Sequence, residues 1–185
     1  MLVKTGQRVE NMLPSFNEHL KILSNSGVDL IILEAMSSQY DIVETLLKCS
    51  KEINIPIWLS ISCVFDRNKE IYLGYDDDVK NDKPQIYENF KDTLHKIKKI
   101  HSGPILVAHS NMSVTDEAIK ILKDNYNQII GAYPNRGYFE KPKWKFIDNI
   151  QPKDYLDKAK SWKNNGAQII GGCCGIGVEE IKAIS

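Results

Sequence analysis

The chain has 185 residues, with 24 Lys and Arg against 24 Asp and Glu. That length supports one domain with a sizeable core and is too short for two of ordinary size, while the balanced charge gives no global field to draw the protein to nucleic acid or an anionic membrane. A small neutral or zwitterionic substrate suits it better. No stretch approaches the roughly 20 apolar residues of a membrane span, the opening Met-Leu-Val-Lys-Thr-Gly-Gln-Arg lacks the apolar core of a secretory signal, and four cysteines at 49, 63, 173 and 174 make no secreted disulfide framework. The chain therefore reads as soluble and cytoplasmic, with Cys49 and Cys63 as core residues.

In chain order, Ser15 with Glu18 three residues on predicts a capping box, after which Phe16, Leu20 and Leu23 recur at helical spacing as far as Gly27. An apolar run over 28–33, interrupted only by Asp29, predicts a strand with Glu34 at its end. A helix over 39–49 sets Ile42, Val43, Leu46 and Leu47 on one face. A strand over 55–64 leads into an acidic stretch, 66–82, that reads as a mobile loop; its Asp76-Asp77-Asp78 run reads as solvated rather than as a cation site. A helix carrying Ile86, Phe90, Leu94, Ile97 and Ile100 follows, then a strand over 105–108, a helix over 115–123 and a strand over 128–133. A helix over 153–164 is opened by Pro152 and closed by Gly166, the last strand covers 167–171, and a final helix begins over 178–184. His19, His95 and His101 fall in helices or at helix ends and read as solvated.

Strands rich in Ile, Leu and Val with little alternation are buried on both faces, which marks a parallel sheet covered by helices. Five parallel strands with right-handed crossovers are predicted, either curled as a (β/α) barrel segment or open and doubly wound. Such folds place their sites at the carboxyl ends of strands. The residues there are Glu34, Ser62 with Cys63, His109 to Met112, Tyr133 to Asn135, and Cys173 with Cys174. A carboxylate, an imidazole, an amide and two thiols gathered at one mouth are more polar than sheet packing requires.

The most telling of these segments is Ile-Ile-Gly-Gly-Cys-Cys-Gly at 169–175. Its glycines let the chain turn sharply enough for the sulfurs of Cys173 and Cys174 to converge on one metal ion. Two other readings stay open: the cysteines as small buried hydrophobes, or the 171–177 turn as a phosphate cradle at a helix start. A disulfide between neighbours is disfavoured by ring strain.

Four blocks, Gly-Val-Asp-Leu-Ile-Ile-Leu-Glu (27–34), Pro-Ile-Trp-Leu-Ser (56–60), Tyr-Pro-Asn-Arg-Gly (133–137) and Gly-Ala-Gln-Ile-Ile-Gly-Gly-Cys-Cys-Gly (166–175), resemble successive blocks of the homocysteine S-methyltransferase family in wording and order. The resemblance implies a zinc-dependent (β/α)8 barrel of the TIM type that transfers a methyl group from a small donor to homocysteine, giving methionine. It covers almost the whole chain but matches only the family's last five strand-helix units. Residues 1–185 are thus expected to form a partial homocysteine-binding domain, an incomplete barrel of about five parallel strands, where a full barrel needs about 250 residues. Its two edge strands would be left open, implying self-association or a complementing chain, a re-packed sheet, or a gene fragment.

The family's three zinc thiolates imply Cys173, Cys174 and a third position in a Gly-x-Asn-Cys block that here reads His109-Ser110-Asn111-Met112. A thioether is a poor zinc donor beside thiolate, so the third position lies between Met112 and His109. The resemblance further implies Glu34 as the contact for the homocysteine amino group, with Asn111 lining the substrate and Tyr133 and Asn135 shaping the mouth. The competing reading is a non-catalytic truncated homolog that binds an amino acid or a partner chain without zinc.

Overall fold

A computed structural model describes residues 9–37, 39–75, 85–140, 143–146 and 150–185; the Asp76-Asp77-Asp78 run lies outside the described residues. The elements are α1 (Leu13–Asn25), β1 (Ile31–Leu33), α2 (Tyr40–Cys49), β2 (Ile57–Ile61), β3 (Cys63–Phe65), β4 (Ile71–Tyr75), β5 (Gln85–Asn89), α3 (Phe90–Ile97), β6 (Ile105–Ala108), α4 (Met112–Asn125), β7 (Ile130–Tyr133), β8 (Tyr138–Glu140), β9 (Lys143–Lys145), α5 (Pro152–Asn164), β10 (Ala167–Ile170) and α6 (Val178–Ile184). Among the described residues no helix is long and apolar enough to cross a membrane.

The strands β1, β2, β6, β7 and β10 form one parallel sheet in that spatial order. Order follows sequence with no reversal, so this is a segment of a TIM-type barrel and not a doubly wound sheet, which would turn back at a switch point. Side chains alternate across the sheet. Leu33, Leu59, Ile61, Ile105, Val107, Ile130 and Ala132 share one face by register and are buried, with α4 packed on β6 and β7 and α5 on β10. Ile32, Trp58, Ser60, Leu106 and Tyr133 occupy the other face. There Gly131 is required by close approach, since a Cβ would stand 2.4 Å from Leu106 Cδ2 and 2.7 Å from the Ile169 carbonyl oxygen. Within this sheet β1 and β10 are each paired along one edge.

Several sequence expectations are corrected. Helix α1 starts at Leu13 with Pro14 in its first turn, where a fixed φ and a missing N–H cost nothing; Ser15 is therefore already helical and makes no capping box. The strand over 55–64 breaks at Ser62, and β3 leaves the parallel sheet to pair antiparallel with β4, which pairs with β5. The stretch read as a mobile loop thus contains β4, with Ile71 and Leu73 buried. Ile86 lies on β5, and α3 begins at Phe90 because the Asn89 side chain caps it, accepting the Asp92 N–H at 3.2 Å. His101 is half-buried in a loop, its Nε2 3.3 Å from the Pro104 carbonyl oxygen, and burial pulls its pKa down. The hairpin β8–β9 had no counterpart among the elements expected from sequence.

Candidate metal and substrate site

The carboxyl ends of the five parallel strands converge, and backbone hydrogen bonds join the segments beyond them. Cys63 N–H donates to Ser110 Oγ at 2.8 Å, and Asn135 N–H to the Ser110 carbonyl at 3.1 Å. Cys173 N–H donates to the Pro134 carbonyl at 2.9 Å, and Arg136 N–H to that of Cys174 at 2.7 Å. The turn after β10 is also held from α5, where the buried Tyr155 hydroxyl donates to the Gly171 carbonyl, and from α6, where Glu180 takes the Gly177 N–H at 2.9 Å and pairs with Arg136 at 3.5 Å. Gly175 sits at φ +82°, and a Cβ there would stand 2.6 Å from the Phe146 ring, so side chains are excluded by conformation and by space.

Held this way, the two thiols face His109. Cys173 Sγ and Cys174 Sγ are 3.7 Å apart, and His109 Nδ1 lies 3.9 Å from the first and 4.0 Å from the second. A tetrahedral zinc ion calls for S···S near about 3.8 Å and S···N near about 3.6 Å, from bonds of about 2.3 and 2.0–2.1 Å. The sulfur edge already meets that length, and the imidazole would close by a few tenths of an ångström. Two thiols and an imidazole are a zinc donor set by chemistry as well as by spacing. His109 itself adopts φ +44°, and Ala35, directly after Glu34, φ +49°. Left-handed backbone at a non-glycine residue costs on the order of 1–3 kcal/mol and concentrates at functional sites; here it occurs at two of the strand ends that meet.

The contact with His109 lowers the Cys173 pKa against the opposing effect of burial, with the neighbouring Cys174 also favouring the thiolate. Met112, at the start of α4, is buried and belongs to the hydrophobic core. Asn111 caps α4, its amide oxygen accepting the Ser113 N–H and hydroxyl, each at 3.1 Å.

Across the mouth, Glu34 meets two hydroxyls. Tyr133 donates to Glu34 Oε2 at 2.8 Å, Ser60 Oγ donates to Oε1 at 3.3 Å, and the Tyr133 and Ser60 hydroxyls are themselves hydrogen-bonded. Ser60 is fully buried, and it also receives the Ala35 N–H on its hydroxyl and the Met36 N–H on its carbonyl, at 3.3 and 2.7 Å. Burial, reinforced by the Glu34 carboxylate, holds the Tyr133 hydroxyl protonated well above the usual tyrosine range, and the Cys173 charge acts on it in the same direction. Ser60 escaped sequence reasoning because a single hydroxyl inside an apolar strand carries no pattern. Arg136 and Glu180 likewise become partners only in space.

The phosphate-cradle reading fits poorly, because the N–H groups of Gly171, Cys173, Ile176 and Gly177 are all engaged within the protein, the last by a carboxylate. Helix α6, with only seven residues and Glu179 and Glu180 in its first turn, would repel an anion.

The family model described as homocysteine S-methyltransferase matches residues 4–185. Homocysteine S-methyltransferase 1 of Zea mays is 27% identical over 186 residues, covering 95% of this chain and 51% of the relative. Selenocysteine methyltransferase of Astragalus bisulcatus is 23% identical, covering 89% of this chain and 46% of the relative. The chain thus spans about half the length of the curated relatives it matches. Among solved structures, the apo form of the homocysteine methyltransferase MmuM from Escherichia coli superposes with a TM-score of 0.68 at 17% identity, over 98% of this chain and 59% of that one. Its metallated form gives 0.64 over 93% and 51%. At those identities the structural likeness speaks to fold.

Proposed function

The chain belongs to the homocysteine S-methyltransferase family, and from that premise we propose that it transfers a methyl group from a small donor to the sulfur of homocysteine, yielding methionine. The observation that carries this reading is the triangle of Cys173, Cys174 and His109, all within hydrogen-bonding reach of one another, on the same mouth as the Glu34 carboxylate. Those three side chains would hold Zn2+ and leave a fourth position for substrate. Zinc bound there supplies the Lewis acidity that ionises a coordinated thiol.

The remaining work falls to the protein's own groups. Glu34 receives the substrate ammonium, and Asn111, its amide oxygen spent on the α4 cap, offers its NH2 group to the substrate carboxylate. Together they align the sulfur with the methyl carbon of the donor. In the displacement a sulfur–carbon bond forms, the donor departs with the electrons of its old bond to methyl, and the thiol proton passes to solvent. A reducing cytoplasm suits a site built on free thiols.

Purified protein supplied with zinc should bind about one ion per chain and form methionine from homocysteine and S-methylmethionine or betaine. A folded chain that takes up no zinc would sink the proposal. A second reading, a non-catalytic homolog that binds an amino acid or a partner chain without zinc, draws on Met112, a core residue, standing where a third thiolate is expected. It predicts a folded chain that takes up no zinc and forms no methionine with any donor. The β1 and β10 edges, the latter beside an open groove lined by Leu156, Ile170, Ile181 and Ile184, favour a second copy or a complementing strand-helix chain. A strictly monomeric mass in solution scattering would remove that partner.

A further inference from the structure

The Glu34 carboxylate does not stand alone: it closes a ring of contacts with Ser60 and Tyr133 that brings together β1, β2 and β7. Proton accounting makes the ring informative. Ser60 has one hydroxyl proton and two acceptor positions; the proton goes to Glu34 Oε1, while Ala35 N–H and the Tyr133 O–H fill the acceptor positions, the single Tyr133 proton being shared between Ser60 Oγ and Glu34 Oε2. The Ser60 hydroxyl is thereby saturated inside a fully buried residue. Tyr133 completes the ring from the far side, 99 residues along the chain, by reaching Glu34 Oε2. Both hydroxyls act as donors toward Glu34, which suits an ionised carboxylate and leaves its unused lone pairs turned away from Ser60 and Tyr133.

Glu34 is itself exposed on the mouth. A glutamate side chain has three rotatable bonds, and an exposed one samples many directions; tethered by one hydroxyl on each oxygen, it presents one. Tyr133 also borders the thiol turn, since β7 pairs with β10 and the Cys173 N–H donates to the carbonyl of Pro134, the next residue along, at 2.9 Å. Carboxylate and thiols thus flank one phenol. An amino-acid thiol has the chemistry to meet both, an ammonium for the carboxylate and a sulfur for a metal held by the thiols.

We infer that Tyr133 is a positioning residue that sets the preference for a thiol bearing an ammonium group, acting through Glu34 and not through the substrate sulfur. This rests on the methyl-transfer reading above for its choice of ligand. Tyr133 holds one carboxylate oxygen and, through Ser60, stiffens the other; the carboxylate is then preorganised for the ammonium and loses less freedom when it binds. Without the phenol hydroxyl, Glu34 keeps its charge and its bond from Ser60 but not its direction.

The test is calorimetric titration of zinc-loaded protein with L-homocysteine and with 4-mercaptobutyrate, which has the same sulfur and carboxylate but no amine. The wild type prefers homocysteine. Tyr133→Phe, which keeps the ring and its packing, lowers that preference by about tenfold, the size of one hydrogen bond to a charged group, while the 4-mercaptobutyrate affinity and the zinc content stay as they were. Glu34→Gln abolishes the preference, and adding Tyr133→Phe to it changes nothing further. A purely structural Tyr133 would weaken both ligands alike or add its effect on top of Glu34→Gln, and either result overturns the inference. A Tyr133→Phe protein with undiminished preference overturns it while leaving the methyl-transfer reading intact. A wild type that does not distinguish the two thiols overturns both.

Discussion

Four cysteines divide into two pairs with opposite chemistry. Cys49, at the end of α2, and Cys63, at the start of β3, are buried in the core, and burial pushes both thiols up. Cys173 and Cys174, on the turn after β10, are half-buried beside an imidazole, and the Cys173 thiol is pulled down. The difference lies in what surrounds the sulfur: hydrocarbon penalises the thiolate, whereas a hydrogen-bonding imidazole rewards it. The same residue type therefore serves as packing in one place and as a candidate ligand in another.

In metal-free protein, iodoacetamide should modify the 173–174 pair faster than Cys63 by on the order of a thousandfold, because Cys63 must both open to solvent and ionise. Peptide mapping by mass spectrometry reads the two rates. The pH profile carries a sign: a lowered pKa places the Cys173 midpoint below that of an ordinary thiol, and since the His109 contact is its main cause, His109→Ala should move the midpoint upward. An unmoved midpoint would remove His109 from the site's electrostatics.

Metal removal by substitution comes next. Cys174→Ser should weaken zinc binding by about a hundredfold or more in a chelator competition, the upper range for lost support at such sites, while Cys63→Ser should leave it unchanged and lower thermal stability instead. Equal losses from the two would mean that the thiols are not distinguished by their surroundings. His109→Ala should cost somewhat less, about tenfold to a hundredfold. Met112→Leu, a volume-conserving change in the core, should cost nothing in zinc affinity.

The pairs also show what sequence conveys and what it hides. Strand positions were legible wherever apolar residues run unbroken, as in Ile105–Ala108, because a strand covered on both faces must be continuous in hydrocarbon. Ile86 misled because it stands four residues before Phe90 and eight before Leu94, a helical spacing that arises by chance across a strand-to-helix junction. Ser15 misled because the capping pattern competes with Pro14, which suits the first turn whatever residues come after it. The strand-end rule gathered Glu34, His109, Cys173 and Cys174 because topology alone brings strand ends together, but the same rule also pointed to Cys63 and Met112, which are buried in the core. Ser60 and Glu180 stayed hidden because their roles depend on partners 26 and 44 residues away, a pairing that no local pattern encodes.

The smallest effect concerns how the thiol turn is held, and α6 contains its own control. Glu179 and Glu180 are neighbours of the same type in the same first turn. Glu179 pairs with Lys182 in the open, both side chains about 70% exposed, and such pairs contribute about 0–1 kcal/mol. Glu180 is only 10% exposed; it accepts the Gly177 N–H and pairs with Arg136, 16% exposed, whose own N–H holds the Cys174 carbonyl. Replacing Glu180 by Gln keeps an acceptor for Gly177 but withdraws the charge from a sheltered Arg136. That should cost about 1–2 kcal/mol, a fall of roughly 2–8 °C in Tm for a chain of this size, and loosen zinc binding by less than tenfold, because the donors stay in place while the turn that carries them gains freedom. Glu179→Gln should change neither measurement. If the two variants behave alike, the Arg136–Glu180 contact does not stiffen the thiol turn, and its rigidity comes from the Pro134 and Cys174 backbone bonds and the Tyr155 anchor alone.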